Sequence, residues 1–458
     1  MAPLGRTWQV VAGSAATGLA VAVAAVAAAG PWESGQRTAE RSYAAARDRQ
    51  LAAAAHPVPT RHAAPAPPSA APVLEPVGPA PSQAAGAGDP LAARLDQLMA
   101  GPDLGPVRTG AVIDVTTGRL LYGHRPTTAT TPASITKLAT AVAALGTLGP
   151  QHRLTTTVVT TAPGRVVLVG GGDPTLELGG LADDTAAALK ARGTRSVRLA
   201  YDTSYFAGPA LHPIGTNENL APVTALMVRE GRENDSSSGP ADRYDDPAGE
   251  AAQSFAQLLR ARGIAVTGAP AEGSGAGGTR LAAHVSAPLS DLVERMLTNS
   301  DNDLAEALAR QVARATGRPA TFAGGAAAVR AALSRYGVPI GGAVFADGSG
   351  LDHADRLSPE TVARVLALAG AAGHPELRSV LTGLPVAAFT GTLASRFHGS
   401  PAAGLIRAKT GTLTGTNTIA GTTVLADGRL VAFCFMTQGA PAPLPAESTL
   451  DHLATTLT

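Results

Sequence analysis

The sequence predicts an α/β protein: an antiparallel sheet flanked by helices and interrupted by a large β-rich insertion. Three observations carry this. Strand-like runs at 417–424 and 430–436 flank an Asp427-Gly428 turn and read as antiparallel neighbours. Helical periodicity recurs over 288–315 and 324–336. Between 154 and 284 the chain changes to β-rich runs, such as 165–169 and 196–201, and to a polar Gly/Ser/Asp-rich stretch over 230–246, as an inserted domain would.

Taken in order, residues 10–30 are Ala, Val, Gly and Leu with a few hydroxyls and no charge, preceded by Arg6. That length suits either a signal peptide or one membrane span, and residues 1–30 are assigned to one or the other. Residues 31–90 are an Ala/Pro-rich linker, a composition that makes a semi-rigid spacer and no core. Folded sequence begins at Leu91, where Leu91, Leu95 and Leu98 keep helical spacing until Gly101 and Pro102 stop the run. Runs at 109–114 and 119–122, joined by Thr116, Thr117 and Gly118, read as a β-hairpin. Pro132 opens a helix rich in Ala and Leu, so Ser134 and Lys137, three apart, share one face of its first turn. Residues 450–457 read as a closing helix.

Composition excludes several classes. Hydrophobic residues make up 45%, too many for wholesale disorder. Net charge is +1 with no long basic block, so nucleic acid is not an expected partner. A single cysteine, Cys434, closes no internal disulfide and is read as buried packing. The ten histidines show no spacing of metal ligands, so neither a metal nor a cofactor is expected.

Lysine is the informative residue. Lys137, Lys190 and Lys409 are the only three among 36 basic residues. Arginine holds its proton in proteins, whereas a buried lysine can lose it, so the surroundings of these lysines are where proton-transfer chemistry is expected. Lys190 falls in a helical stretch, 185–192, read as exposed and structural. Lys137 ends Ser134-Ile135-Thr136-Lys137, and Lys409 opens Lys409-Thr410-Gly411 before a strand. Between them Ser300-Asp301-Asn302 interrupts apolar helical sequence. Alone, Ser300-Asp301-Asn302 reads as a helix break or cap and Lys409-Thr410-Gly411 as an edge strand entering a turn.

In this order the three motifs resemble those of the penicillin-recognising serine enzymes. The long interval from 138 to 299 narrows the resemblance to the low-molecular-mass class C penicillin-binding proteins, the D-Ala-D-Ala carboxypeptidase/endopeptidase family (peptidase family S13). Residues 168–176, 202–206, 221–226, 347–351 and 384–386 agree with that family, while Asp352-His353-Ala354 replaces the Ser-Arg frequent in relatives. The resemblance implies a penicillin-binding transpeptidase/β-lactamase-like domain with a helical subdomain, built from 91–153 and 285–458, with 154–284 inserted. It implies that the enzyme hydrolyses the D-Ala-D-Ala end of peptidoglycan stem peptides through an acyl-enzyme and is acylated by β-lactam antibiotics.

The roles expected are Ser134 as nucleophile, Lys137 as base, Ser300 as proton relay, Asn302 holding Lys137 and the peptide carbonyl, and Lys409 with Thr410 gripping the terminal carboxylate. Burial and the charge of Lys409 would keep part of Lys137 neutral. The resemblance further implies an oxyanion hole from the backbone N–H groups of Ser134 and Thr412. A β-lactamase is the rival reading, but no Glu occurs in 307–359 to deacylate as the class A enzymes do. A non-catalytic penicillin-binding sensor is the other. Peptidoglycan lies outside the cytoplasmic membrane, so the chain is expected to be exported, either to the outer face of the bacterial cell membrane through its N-terminal segment or into the wall.

Overall fold

The computed structural model describes residues 90–458. The signal peptide or anchor expected at 1–30 and the linker expected at 31–90 lie outside the described residues, apart from Pro90. Among the described residues no helix is long and apolar enough to cross a membrane.

The described residues start with α1 (Pro90–Met99) and a hairpin of β1 (Val107–Asp114) and β2 (Leu120–His124), turned at Gly118, whose positive φ of 68° suits glycine. Helix α2 (Thr136–Leu148) follows, buried from Thr136 through Leu145. Its Ala-rich composition fits this, because a helix packed on every side needs small apolar residues all round.

Residues 155–285 build a second sheet from β3 (Thr155–Ala162), β4 (Arg165–Val169), β6 (Ser196–Asp202), β8 (Ala265–Val266), β9 (Ala271–Glu272) and β10 (Thr279–Val285); β5 (Asp173–Leu176) and β7 (Leu226–Val228) pair separately. Two helices, α3 (Leu178–Ala191) and α4 (Pro247–Ala261), also belong here. The β-rich expectation included only the end of α3 and none of α4. The topology explains them: β4 pairs parallel with β6, and β6 with β8, and parallel neighbours need a crossover, usually helical. Phe255, Leu259, Leu181 and Leu189 of these helices share one apolar cluster with Val158, Val166 and Leu168 of the sheet.

The helical stretch expected over 288–315 is two helices, α5 (Leu289–Asn299) and α6 (Asn302–Ala315). Ser300 takes a left-handed φ of 58° and ends the first, and the Asp301 carboxylate accepts from Leu304 N–H and caps the second. Helices α7 (Phe322–Arg335) and α8 (Pro359–Gly370) complete the helical layer. Strands β11 (Arg407–Leu413), β12 (Thr416–Val424) and β13 (Leu430–Gln438) then join β1 and β2 in an antiparallel sheet of order β11-β12-β13-β1-β2, and α9 (Pro443–Thr455) closes the chain.

Alternation along β13 separates the two cores of this sheet. Ala432, Cys434 and Met436 face α2, α5, α6 and α8, while Val431, Phe433 and Phe435 pack with Leu450, Leu453 and Leu95 on the other side. Cys434 is buried and unpaired, as its apolar neighbours in the sequence suggested.

Candidate active site

The sequence reading places Ser134 in the first turn of a helix, but the structure places it just before one. Residues Ala133–Ile135 form a 3₁₀ turn, and α2 begins at Thr136. Ala133 adopts φ 50°, a conformation costly for a residue with a Cβ unless neighbours hold it. Gly350 is one such neighbour: a Cβ there would lie 2.0 Å from the Ala133 carbonyl oxygen. Thr418 is another, donating its hydroxyl to the Pro132 carbonyl at 2.9 Å.

Helical spacing then carries Lys137 under Ser134, with Nζ 3.0 Å from Ser134 Oγ. The same Nζ lies 2.6 Å from Asn302 Oδ1 and 2.7 Å from the Ser349 carbonyl oxygen. A neutral amine has two N–H bonds and one lone pair. With both N–H groups donated to these two oxygens, the lone pair is left facing the Ser134 hydroxyl. Burial pushes Lys137 down to about 8, against the upward pull of Asp347, Glu306, Asp301 and Asp355. About a tenth of the amine is therefore neutral at pH 7.

Lys409 Nζ donates to Ser300 Oγ at 2.9 Å and to the Thr410 carbonyl at 2.7 Å. Burial and the charge of Lys137 hold it well below the usual lysine range. Burial is the larger cause for both lysines; the charge of Lys137 acts on Lys409, whereas the Lys409 charge expected from sequence to act on Lys137 is not among the causes of its shift.

Residues from all three motifs line a cavity of about 370 Å³: Ser134, Ser300, Asn302, Thr410 and Thr412. Lys137 and Lys409 stand behind this lining, each wholly buried. The sequence reading had Lys409 facing the substrate carboxylate; the structure has it reaching the cavity through Ser300 Oγ, with the Thr410 hydroxyl in the lining and donating to Thr392 Oγ1 at 2.9 Å. Strand β11 is the sheet edge. Ala408 N–H bonds outward to the Pro385 carbonyl, so strand alternation turns the N–H of Thr410 and Thr412 to that open side as well. Gly411 runs so close to the nucleophile turn that a Cβ would sit 2.9 Å from Ser134 N, which brings Thr412 and Ser134 N–H to the same mouth.

Sequence reasoning missed one whole wall. Asn219, Arg232 and Arg243, all from the insertion, line the cavity. The Asn302 amide donates to the Asn219 carbonyl at 2.9 Å, tying the insertion to the residue that holds Lys137. Arg232 donates to the Gly239 carbonyl at 2.9 Å and pairs with Glu230, so its guanidinium braces the loop at the rim. No local signal marks these residues in the sequence. Asp352-His353-Ala354, where the chain departs from Ser-Arg, are not in the lining, although Leu351 just before them is. Lys190 sits exposed in the last turn of α3, outside the site.

Among the described residues one trio, His212, Glu306 and Asp347, brings metal-ligand-type atoms within 4.8 Å of one another. Its oxygens already accept backbone N–H groups of Gly348, Ser349, Gly350 and Asp352, and His212 Nε2 meets Asp347 Oδ2 at 3.2 Å, so hydrogen bonding accounts for the grouping.

Comparison with known proteins agrees with this architecture. Residues 91–241 and 234–457 match the D-Ala-D-Ala carboxypeptidase 3 (S13) family. The chain is 37% identical to carboxypeptidase DacB of Mycolicibacterium smegmatis over 80% of its own length and 83% of that protein's. It is 34% identical to carboxypeptidase Rv3627c of Mycobacterium tuberculosis, over 86% and 89%. The crystal structure of penicillin binding protein 4 (dacB) from Haemophilus influenzae shares the fold with a TM-score of 0.67 at 23% identity, covering 79% of this chain and 98% of that one. The family match spans both halves of the body and the inserted region between the first and second motifs, and on it the chain belongs to the D-Ala-D-Ala carboxypeptidase 3 (S13) family.

Proposed function

We propose that Ser134 is the nucleophile and Lys137 the base of this serine D-Ala-D-Ala carboxypeptidase, which acts on peptidoglycan stem peptides and is acylated by β-lactams. The observation that supports these roles best is the Lys137 amine, whose two carbonyl acceptors leave its lone pair for Ser134 Oγ. Ser134 Oγ attacks the carbonyl of the penultimate D-alanine as its proton passes to Lys137. The oxyanion lies between Ser134 and Thr412 N–H, a contribution worth about 3 kcal/mol per donor. The C–N bond then breaks, and the departing D-alanine amine takes, through Ser300, the proton that Lys137 gained from Ser134, leaving Lys137 neutral again for the attacking water; Lys409 contacts Ser300. Water hydrolyses the ester and frees Ser134.

The rival β-lactamase reading needs a carboxylate free to activate water. Glu306 lies just outside the stretch found to lack glutamate, yet it is wholly buried and accepts from Gly348 and Ser349 N–H. No water-activating carboxylate of the class A kind is built there.

The full chain incubated with a D-Ala-D-Ala-terminated pentapeptide and with a crosslinked muropeptide tests the activity, with products identified by mass. Loss of one D-alanine from the first is expected, and cleavage of the second measures endopeptidase action. Release from neither substrate would overturn the proposal. The apolar segment and the Ala/Pro linker further support an exported enzyme, held at the outer face of the membrane or released to the wall. Residues 1–90 fused to a reporter active only after export should give signal, and retention in the cytoplasm would count against this location.

A further inference from the structure

We infer that Glu306 is a positioning residue for Lys137, acting through the loop that carries the Ser349 carbonyl. Asn302 and Glu306 lie four apart on α6 and so present to the same side. Asn302 touches Lys137 directly; Glu306 reaches it through residues 347–350. Glu306 Oε1 accepts from Ser349 N–H at 2.7 Å and from Gly348 N–H at 3.0 Å. Glu306 thereby fixes the two peptide planes that lead into Ser349; the Ser349 carbonyl belongs to the next plane, lies opposite the Gly350 N–H that Asp347 Oδ1 accepts, and meets Lys137 Nζ at 2.7 Å.

The loop is held elsewhere too. Thr140 of α2 donates to the Gly348 carbonyl at 2.6 Å, and Asp347 Oδ1 accepts from Ser349 N–H at 3.0 Å. Gly348 lets the loop lie on α6, since a Cβ there would stand 2.6 Å from that of Ala309. Gly350 at the other end packs on the Ala133 carbonyl, so one loop braces both the nucleophile turn and the base.

The carboxylate also acts through its charge. Around Lys137 the charged and titratable groups are Asp301 and Glu306 on α6, Asp347 and Asp355 on the loop side, and Lys409 on β11, with His212 against Asp347 and Arg310 near Glu306. Glu306 favours the ammonium form of Lys137. Neutralising it makes the amine easier to deprotonate, so base function should appear at lower pH.

The inference rests on Lys137 being the base, and the test separates the two claims. Acylation of the full chain by a fluorescent penicillin is timed from pH 6 to 9. The parent rate should climb with pH, pass half its maximum near 8 and flatten only toward 9. A flat parent profile sinks the base itself. Glu306→Gln keeps Oε1 for the loop and removes the charge; its rising limb should move down by about half a pH unit or more, with a maximal rate several-fold lower. Glu306→Asp keeps the charge but withdraws the oxygens, so it should keep the parent midpoint and lose roughly tenfold in rate. A sloping parent profile with an unchanged midpoint in Glu306→Gln overturns the role of Glu306 alone. Should Glu306→Gln not hold its fold, Glu306→Asp decides, and acylation at the parent rate would overturn the inference.

Discussion

Incubated with a penicillin, the full chain is expected to gain one covalent adduct, mapped by mass to Ser134, and Ser134→Ala to gain none. A penicillin places a strained amide carbonyl where the D-Ala-D-Ala carbonyl would sit, and no other hydroxyl in the cavity has a lysine amine 3.0 Å away with its lone pair free. Ser300 is the competing hydroxyl, yet its partner Lys409 has one carbonyl acceptor, that of Thr410, where Lys137 has two. Losing the nucleophile of a serine hydrolase costs on the order of 10⁶ in turnover, so peptide hydrolysis by Ser134→Ala should fall to background. Labelling undiminished in this variant, or an adduct mapped to Ser300, would reverse the assignment.

The second large effect is at Lys137. Lys137→Arg keeps a cation but fixes its proton, so acylation should fall by at least the roughly 10²- to 10⁴-fold of lost general-base help. Its residual rate should also lose the rise with pH, because arginine does not titrate there. From charge alone, Lys409→Arg would be mild. The structure changes that expectation: Lys409 is wholly buried against a hydroxyl and a carbonyl, with no carboxylate to balance a permanent guanidinium. Acylation should fall about tenfold or more and the thermal midpoint should drop, while the slope with pH survives. Lys190→Arg should change nothing. Stopped-flow acylation across pH, beside thermal denaturation, distinguishes the three; a Lys137→Arg enzyme at the parent rate would mean another base.

What could be read from sequence differs in kind from what could not. Ser134 with Lys137, Ser300 with Asn302, and Lys409 with Thr410 are near neighbours in the chain, so the chemistry that needs them together leaves a visible spacing. Ser349 acts through a backbone carbonyl, which every residue has. Glu306 resembles any polar residue of an amphipathic helix, and Asn219 meets its partner Asn302 from 83 residues away. The 3₁₀ turn under Ser134 was hidden for a related reason: it comes from Gly350 and Thr418 pressing on Pro132 and Ala133, not from local helix preference. Inside the insertion the Val-rich strands stand out; α3 and α4 are Ala-rich, and α4 opens with Asp246 as cap and Pro247 at its first position, but their need as crossovers shows only once β4, β6 and β8 prove parallel.

The order of strands in the catalytic sheet sets a timetable. β1 emerges early in synthesis, yet its partner β13 comes near the end, with Ala111 opposite Cys434, and Gly105 N–H bonds to Thr437 Oγ1 across 332 residues. Lys409 and Thr410 lie two strands further out on β11, attached through β12 to β13. A chain delivered N-terminus first therefore holds Ser134 and Lys137 long before it has a sheet edge to complete the mouth, and pairings of such long range close slowly. Catalytic competence waits on residues 407–438 joining β1, and the first penicillin a newly made chain accepts reports that this sheet has closed.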